Sequence, residues 1–127
     1  MAKRTTLHPH THSLPDLTRS VKFLPPQGMN DLVQIFQALS DLTRVKVVFA
    51  LTGGERNVND IADLVGASPS AVSHHLRRLK DAGLVTFHRH GNQVFYSIED
   101  VHIAAILREA SNHIDHARLG SQSREAK

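Results

Sequence analysis

The 127-residue sequence contains no cysteine and no tryptophan, and it has only one tyrosine, five phenylalanines and two methionines. Without cysteine there can be no disulfides, thiolate metal sites, iron–sulfur clusters or thiol-based redox sensing. Any metal chemistry falls to imidazole and carboxylate, so the thiolate ligands that soft ions prefer are missing. No apolar run approaches the roughly 18 residues of a membrane span, and the N-terminus lacks the apolar core of a signal peptide. One ordinary domain, cytoplasmic and without a membrane partner, is the expectation. Charge of one sign is scarce too. Fifteen Lys and Arg against twelve Asp and Glu leave +3, by itself a weak hint of a polyanionic partner. Against these absences stand ten histidines.

Residues 1–27 hold four of the five prolines and the alternating histidines His8, His10 and His12. No periodicity persists there, so a mobile tail is expected, with a short helical piece around Leu17 to Phe23. From Met29 the pattern turns helical, with Leu32, Ile35, Phe36 and Leu39 on one stripe. A break at Ser40–Asp41 precedes a second helix, carrying Val45, Val48, Phe49 and Leu51 up to Gly53–Gly54. A short helix, Asn59 to Val65, turns Ile61, Leu64 and Val65 inward and stops at Gly66. Ser68 followed by Pro69 reads as an N-cap and a first-turn proline, opening a helix that runs to about Ala82. Two strands, Val85–His90 and Val94–Ser97, flank Gly91–Asn92 as a hairpin. Glu99–Asp100 caps a last helix, from Val101 to about Arg118, ahead of a polar tail at 119–127.

Two short helices on a tight turn followed by a hairpin make a winged helix-turn-helix. Ala62 permits close helix approach, Gly66 the left-handed turn and Val72 an anchor in the core. The fold class is therefore mainly α (α+β), with a two-stranded wing and N- and C-terminal dimerisation helices around a 28–118 domain.

On a wheel of 100° per residue, Val72, Leu76 and Leu79 form the buried face of the second of these helices. Ser70, Ser73, His74 and Arg77 lie opposite, with Arg78 and Lys80 on the flanks. Ser68 stands at the helix start. Hydroxyls and a helix N-terminus suit phosphate, and arginine can pair with guanine O6 and N7 in the major groove of double-stranded DNA. Arg89, Asn92 and Gln93 at the hairpin tip are candidates for backbone or minor-groove contacts. His75 sits beside the core face as a structural residue. His88 and His90 share one strand face and are expected in solvent or near phosphate.

The last helix carries Asp100, His102, His113 and His116. His102 and His113 are three turns apart, about 16 Å along the axis. Zinc takes nitrogen ligands at about 2 Å, so one straight helix cannot bring both to one ion. Two copies can. In an antiparallel pair with a two-fold axis near Leu107–Arg108, His102 of one copy meets His113 of the other, and Asp100 meets His116. Two symmetric sites result, each of one carboxylate and three imidazoles from both chains, a donor set suited to Zn²⁺ with Co²⁺ the nearest competitor. The stripe Ile103, Ile106, Leu107, Ala110, Ile114 and Ala117 is broad enough to pack on a partner helix.

These residues resemble the ArsR–SmtB family of bacterial metal-sensing repressors, and within it the zinc sensors whose last helix carries D-x-H-x10-H-x2-H. Asp100, His102, His113 and His116 match that motif without a mismatch. Ser70 to Leu76 and the wing from Arg89 to Tyr96 are similar to the family's as well. The resemblance implies a homodimeric repressor that holds a two-fold pseudo-symmetric operator in its apo form and lets go when two Zn²⁺ bind per dimer. Many members have a second site built on cysteines, one of which aligns with Asn57. That thiolate site is absent, and Asp60 with His8, His10 and His12 could stand in for it.

Three alternatives share these features. A Co²⁺- or Ni²⁺-responsive repressor would use the tail histidines to raise the coordination number. A winged-helix dimer could use the last helix for pairing alone, without metal, Asp100 being merely its cap. A zinc hydrolase lacks a placed general base and an open ligand position, so no enzyme is expected.

Overall fold

Among the residues described by the computed structural model, 20–126 with side chains to 120, five helices and one hairpin follow in order. They are α1 (Pro26–Ala38), α2 (Leu42–Leu51), α3 (Val58–Val65), α4 (Pro69–Asp81), β1 (Val85–His90), β2 (Gln93–Ile98) and α5 (Val101–Ala126). The chain divides into units 1–32 and 33–127. In the first, residues 21–25 are irregular and Pro26 opens α1, where a missing N–H leaves no helical bond unmade. The expected helical piece around Leu17 to Phe23 lies mostly outside the described residues; of its described part Ser20 is helical and 21–23 are not. His8, His10 and His12 lie outside them altogether.

In the second unit a winged helix-turn-helix surrounds one core. Val47, Val48 and Leu51 of α2, Ile61 and Ala62 of α3, and Val72, Leu76 and Leu79 of α4 pack with Leu84, Val85, Ile103 and Leu107. Caps set the helix starts. Asp41 Oδ2 accepts from Arg44 N at 2.9 Å, Asn57 Oδ1 from Asp60 N at 2.8 Å and Ser68 Oγ from Ala71 N at 3.1 Å, each satisfying an otherwise orphan amide. Gly66 ends α3 at φ 75°, a left-handed conformation that a side chain disfavours. β1 and β2 pair antiparallel from Val85↔Ile98 to His90↔Gln93. Gly91 at φ 61° starts the two-residue turn. A positive φ at only the first central residue is the type II′ pattern that follows strand twist.

Several expected stripes are rotated. On α3 the inward set is Val58, Ile61, Ala62 and Val65, a clean i, i+3, i+4, i+7 series, whereas Leu64 is 59% exposed. On α2, Val47 is buried and Phe49 is exposed. On α1, Ile35 and Ala38 pack on the core, as does Leu39 just past its end, while Leu32 and Phe36 are exposed. The last helix also runs past Arg118 to Ala126. Gly120 alone costs about 1 kcal/mol of helix propensity, and no proline follows to stop the helix.

Candidate functional site

The α4 face opposite the core is built by the alternation that buries Val72, Leu76 and Leu79 completely. Ser68, Ser70, Ser73, His74, Arg77, Arg78 and Lys80 are all exposed. Arg78 and Lys80 occupy the last turn of α4, where positive charge complements the helix dipole. A groove of about 480 Å³ between α4 and the wing is lined by Ser73, Leu76, Arg77, Lys80, Asp81, Phe87 and Tyr96. The Lys80 ammonium lies 5.1 Å from the Phe87 ring centre, a cation–π contact that ties the helix to the wing. Arg89, Asn92 and Gln93 are exposed at the hairpin end. One surface thus combines hydroxyls, guanidinium groups and a projecting turn.

His75 is half-buried, as its place on the wheel implies. Its Nδ1 is buried without a hydrogen bond among the described residues and faces Asp41 Oδ2 at 4.0 Å. That contact links α4 to the cap of α2, a link the sequence pattern did not reveal.

Asp100 caps α5, its Oδ1 accepting from His102 N at 2.9 Å and from Ile103 N at 3.4 Å. The same oxygen is 3.4 Å from His102 Nδ1. Donors at 2.0–2.1 Å around a tetrahedral ion are themselves about 3.3–3.4 Å apart, so Asp100 and His102 already have the spacing of two ligands of one ion. His102, His113 and His116 are exposed. α5 is continuous across them, so His102 and His113 stay about 16 Å apart and the quartet does not converge within one chain. The apolar stripe of α5 divides. Ile103 and Leu107 enter this chain's own core, while Ile106 and Ile114 are 37% and 52% exposed. At 100° per residue, His102, Ile106, His113 and His116 span about 80° of the helix, centred about 140° from Leu107. The face carrying the histidines is therefore separate from the face that packs inward.

Asp60, offered as part of a second site, sits in the first turn of α3 and is exposed. His90 is exposed and His88 half-buried. Together with Glu55 they form a group of three donor side chains that converge within one chain, the one such group among the described residues. Neighbouring histidines on a strand marked half of it; Glu55, in the α2–α3 loop, carried no local signal.

A family model described as bacterial regulatory protein, arsR family, matches residues 41–86, from the cap of α2 into β1. The chain is 38% identical over 98 residues to a cadmium resistance transcriptional regulatory protein CadC homolog of Staphylococcus aureus, covering 76% of this chain and 81% of that protein. It is 35% identical to the HTH-type transcriptional regulator NmtR of Mycobacterium tuberculosis, covering 89% and 94%. Among solved structures, the homodimeric winged helix-turn-helix DNA-binding domain Mb0332 of Mycobacterium bovis, a possible ArsR-family regulator, superimposes with a TM-score of 0.64. That match has 25% identity and covers 76% of this chain and 95% of that one. These relatives are transcriptional regulators, not enzymes.

Proposed function

The chain belongs to the bacterial regulatory proteins of the arsR family, and on that premise we propose that it is a zinc-responsive repressor, a homodimer that holds operator DNA without metal and releases it when zinc binds. The observation that carries this reading is the quartet Asp100, His102, His113 and His116, exposed on one uninterrupted helix at a spacing only a second copy can close. The cadmium resistance regulator among its relatives supports metal as the signal.

In this reading Ser70, Ser73, His74 and Arg77 enter the major groove, Ser68 and Arg78 meet phosphate, and Arg89, Asn92 and Gln93 contact the flanking backbone or minor groove. Two protomers read two half-sites, so the operator has two-fold pseudo-symmetry. Such a DNA-binding protein works in the cytoplasm. The homodimeric Mb0332 domain supports pairing, as do the exposed apolar residues of α5. Asp100 and His102 of one protomer, with the partner's His113 and His116, would hold Zn²⁺ at each of two sites per dimer. Zinc supplies there a bond between two helices that otherwise touch through side chains. Because the ligands belong to both protomers, their geometry is coupled to the distance between the two α4 helices.

A hundredfold loss of operator affinity needs only about 2.8 kcal/mol of coupling, and linkage requires DNA to weaken zinc binding by the same factor. Operator affinity measured by fluorescence anisotropy with and without stoichiometric Zn²⁺ tests the proposal. About a hundredfold weakening is expected, and unchanged affinity overturns it. His102→Ala and His113→Ala should bind operator as the unsubstituted chain does and fail to respond.

A further inference from the structure

Glu55, His88 and His90 come together through the sheet. Arg56 N donates to Tyr96 O at 3.0 Å and Tyr96 N to Arg56 O at 2.8 Å, so residue 56 pairs with β2 on the edge away from β1. Tyr96 is in turn opposite Phe87, and Phe95 opposite His88. Strand side chains alternate between faces. Glu55, His88, His90 and Phe95 therefore share one face, while Phe87 and Tyr96 lie on the other, against α4. Across this face Glu55 reaches over β2, and its Oε2 lies 3.2 Å from His88 Nε2. The His88 and His90 rings meet edge to face at 4.5 Å, and the Phe95 ring lies 6.1 Å from the first and 5.7 Å from the second. The donor atoms of Glu55, His88 and His90 all fall within 4.8 Å of one another.

We propose that Glu55, His88 and His90 form a second divalent-metal site, at the wing, complete within one protomer. Two imidazoles and a carboxylate are a donor set for Zn²⁺ or Co²⁺, leaving one tetrahedral position to water. Ligands at 2.0–2.2 Å in a tetrahedron lie about 3.3–3.6 Å apart. The Glu55–His88 separation already meets that spacing within about 0.1 Å. No gap in the trio has to close by more than about 1.5 Å, within the reach of ordinary rotamer adjustment. Phe95 packs against both imidazole rings and limits their freedom, so less side-chain entropy is lost on chelation. A bound ion joins β1 to the α2–α3 loop across β2 and stiffens the wing from its outer face. The α4 groove stays clear. The site needs no second chain, and it stands or falls independently of the α5 ligands.

The test uses the full chain with His8, His10, His12, His102, His113 and His116 all replaced by alanine, titrated with Co²⁺ and followed by its d–d absorption, with Zn²⁺ as competitor. One ion per protomer is expected. Adding His88→Ala, His90→Ala or Glu55→Gln should weaken binding at least about tenfold, since even outer-shell partners of a ligand contribute that much. Absence of cobalt binding in a folded sixfold variant overturns the site, as does an affinity indifferent to these three residues. The unsubstituted chain provides a second readout that needs no variant to fold. Saturating Zn²⁺ should shift the imidazole ¹⁵N resonances of His88 and His90, and unmoved resonances at both would overturn the proposal. A zinc response of operator binding that survives His102→Ala but not His88→Ala would move the regulatory role to the wing; the reverse leaves that role with α5.

Discussion

Asp41 joins three functions in one side chain. It caps α2, faces His75 of α4 and carries a carboxyl held below its ordinary value of 3.8. The backbone N–H of Arg44 is the largest cause; partial desolvation opposes it, and the charges of Arg44 and His75 and the Thr43 amide add to it. A carboxylate favoured in the folded state stabilises the fold above its unfolded pKa, and that contribution is lost as pH falls through the lower folded value. Asn keeps the capping oxygen but cannot ionise. The stability difference between the unsubstituted chain and Asp41→Asn should therefore be present near neutral pH and shrink as pH falls below 3.8. Urea titrations from neutral pH into the acid range measure it, and a difference that does not shrink on acidification below 3.8 would contradict the assignment.

At the scale of elements, α4 is divided between two tasks. Leu76 is wholly buried and its neighbour Arg77 is exposed. Leu76→Ala should cost about 2–5 kcal/mol of folding stability through the cavity it leaves. Arg77→Ala should change stability by less than about 0.5 kcal/mol and weaken operator binding by roughly 1–3 kcal/mol. Denaturant melts and anisotropy on both variants separate the two effects. An Arg77→Ala variant with full operator affinity would remove that residue from the reading surface. The wing depends on α4 in a different way, through the Lys80–Phe87 contact and the groove beneath it.

For the whole molecule, the decisive feature is that α5 is only half used by its own chain. Ile103 and Leu107 are buried, whereas Ile106 and the histidines lie exposed on another side of the helix, and Ile114, in line with Leu107 two turns further on, is exposed as well. Ile106 lies between His102 and His113 along that exposed side, so in the proposed dimer a charge there meets the partner rather than the core. Ile106→Glu should leave the protomer folded, give a monomer in sedimentation velocity at micromolar concentration and abolish tight binding to a two-half-site operator. A dimer that persists would place the interface elsewhere. With the interface gone, the α5 sites should lose zinc while the wing trio, contained in one protomer, keeps its ion.

Local chemistry made much of this protein legible in its residue order. Ser68–Pro69, Gly66, Gly91–Asn92 and Asp100 mark element ends because caps and left-handed turns depend on one or two residues. The α5 quartet was readable for a related reason: three of its residues lie on one helix and the fourth caps it, and a helix's fixed rise converts spacing into distance. Which apolar residues turn inward was harder. Leu64 and Phe49 are as apolar as Val58 and Val47, and only the positions of neighbouring helices select between them. The wing cluster was only partly open to local reading. His88 and His90 announce a shared face by alternation, but Glu55 joins them only because Arg56 pairs with Tyr96 at the far edge of β2. Sequence alone thus determined the elements, the helix-turn-helix and the spacing of the α5 quartet, all properties of short-range geometry. Tertiary structure decided the inward faces and brought Glu55 to the histidines, because contacts between distant segments depend on how whole elements pack and not on any residue's own preference.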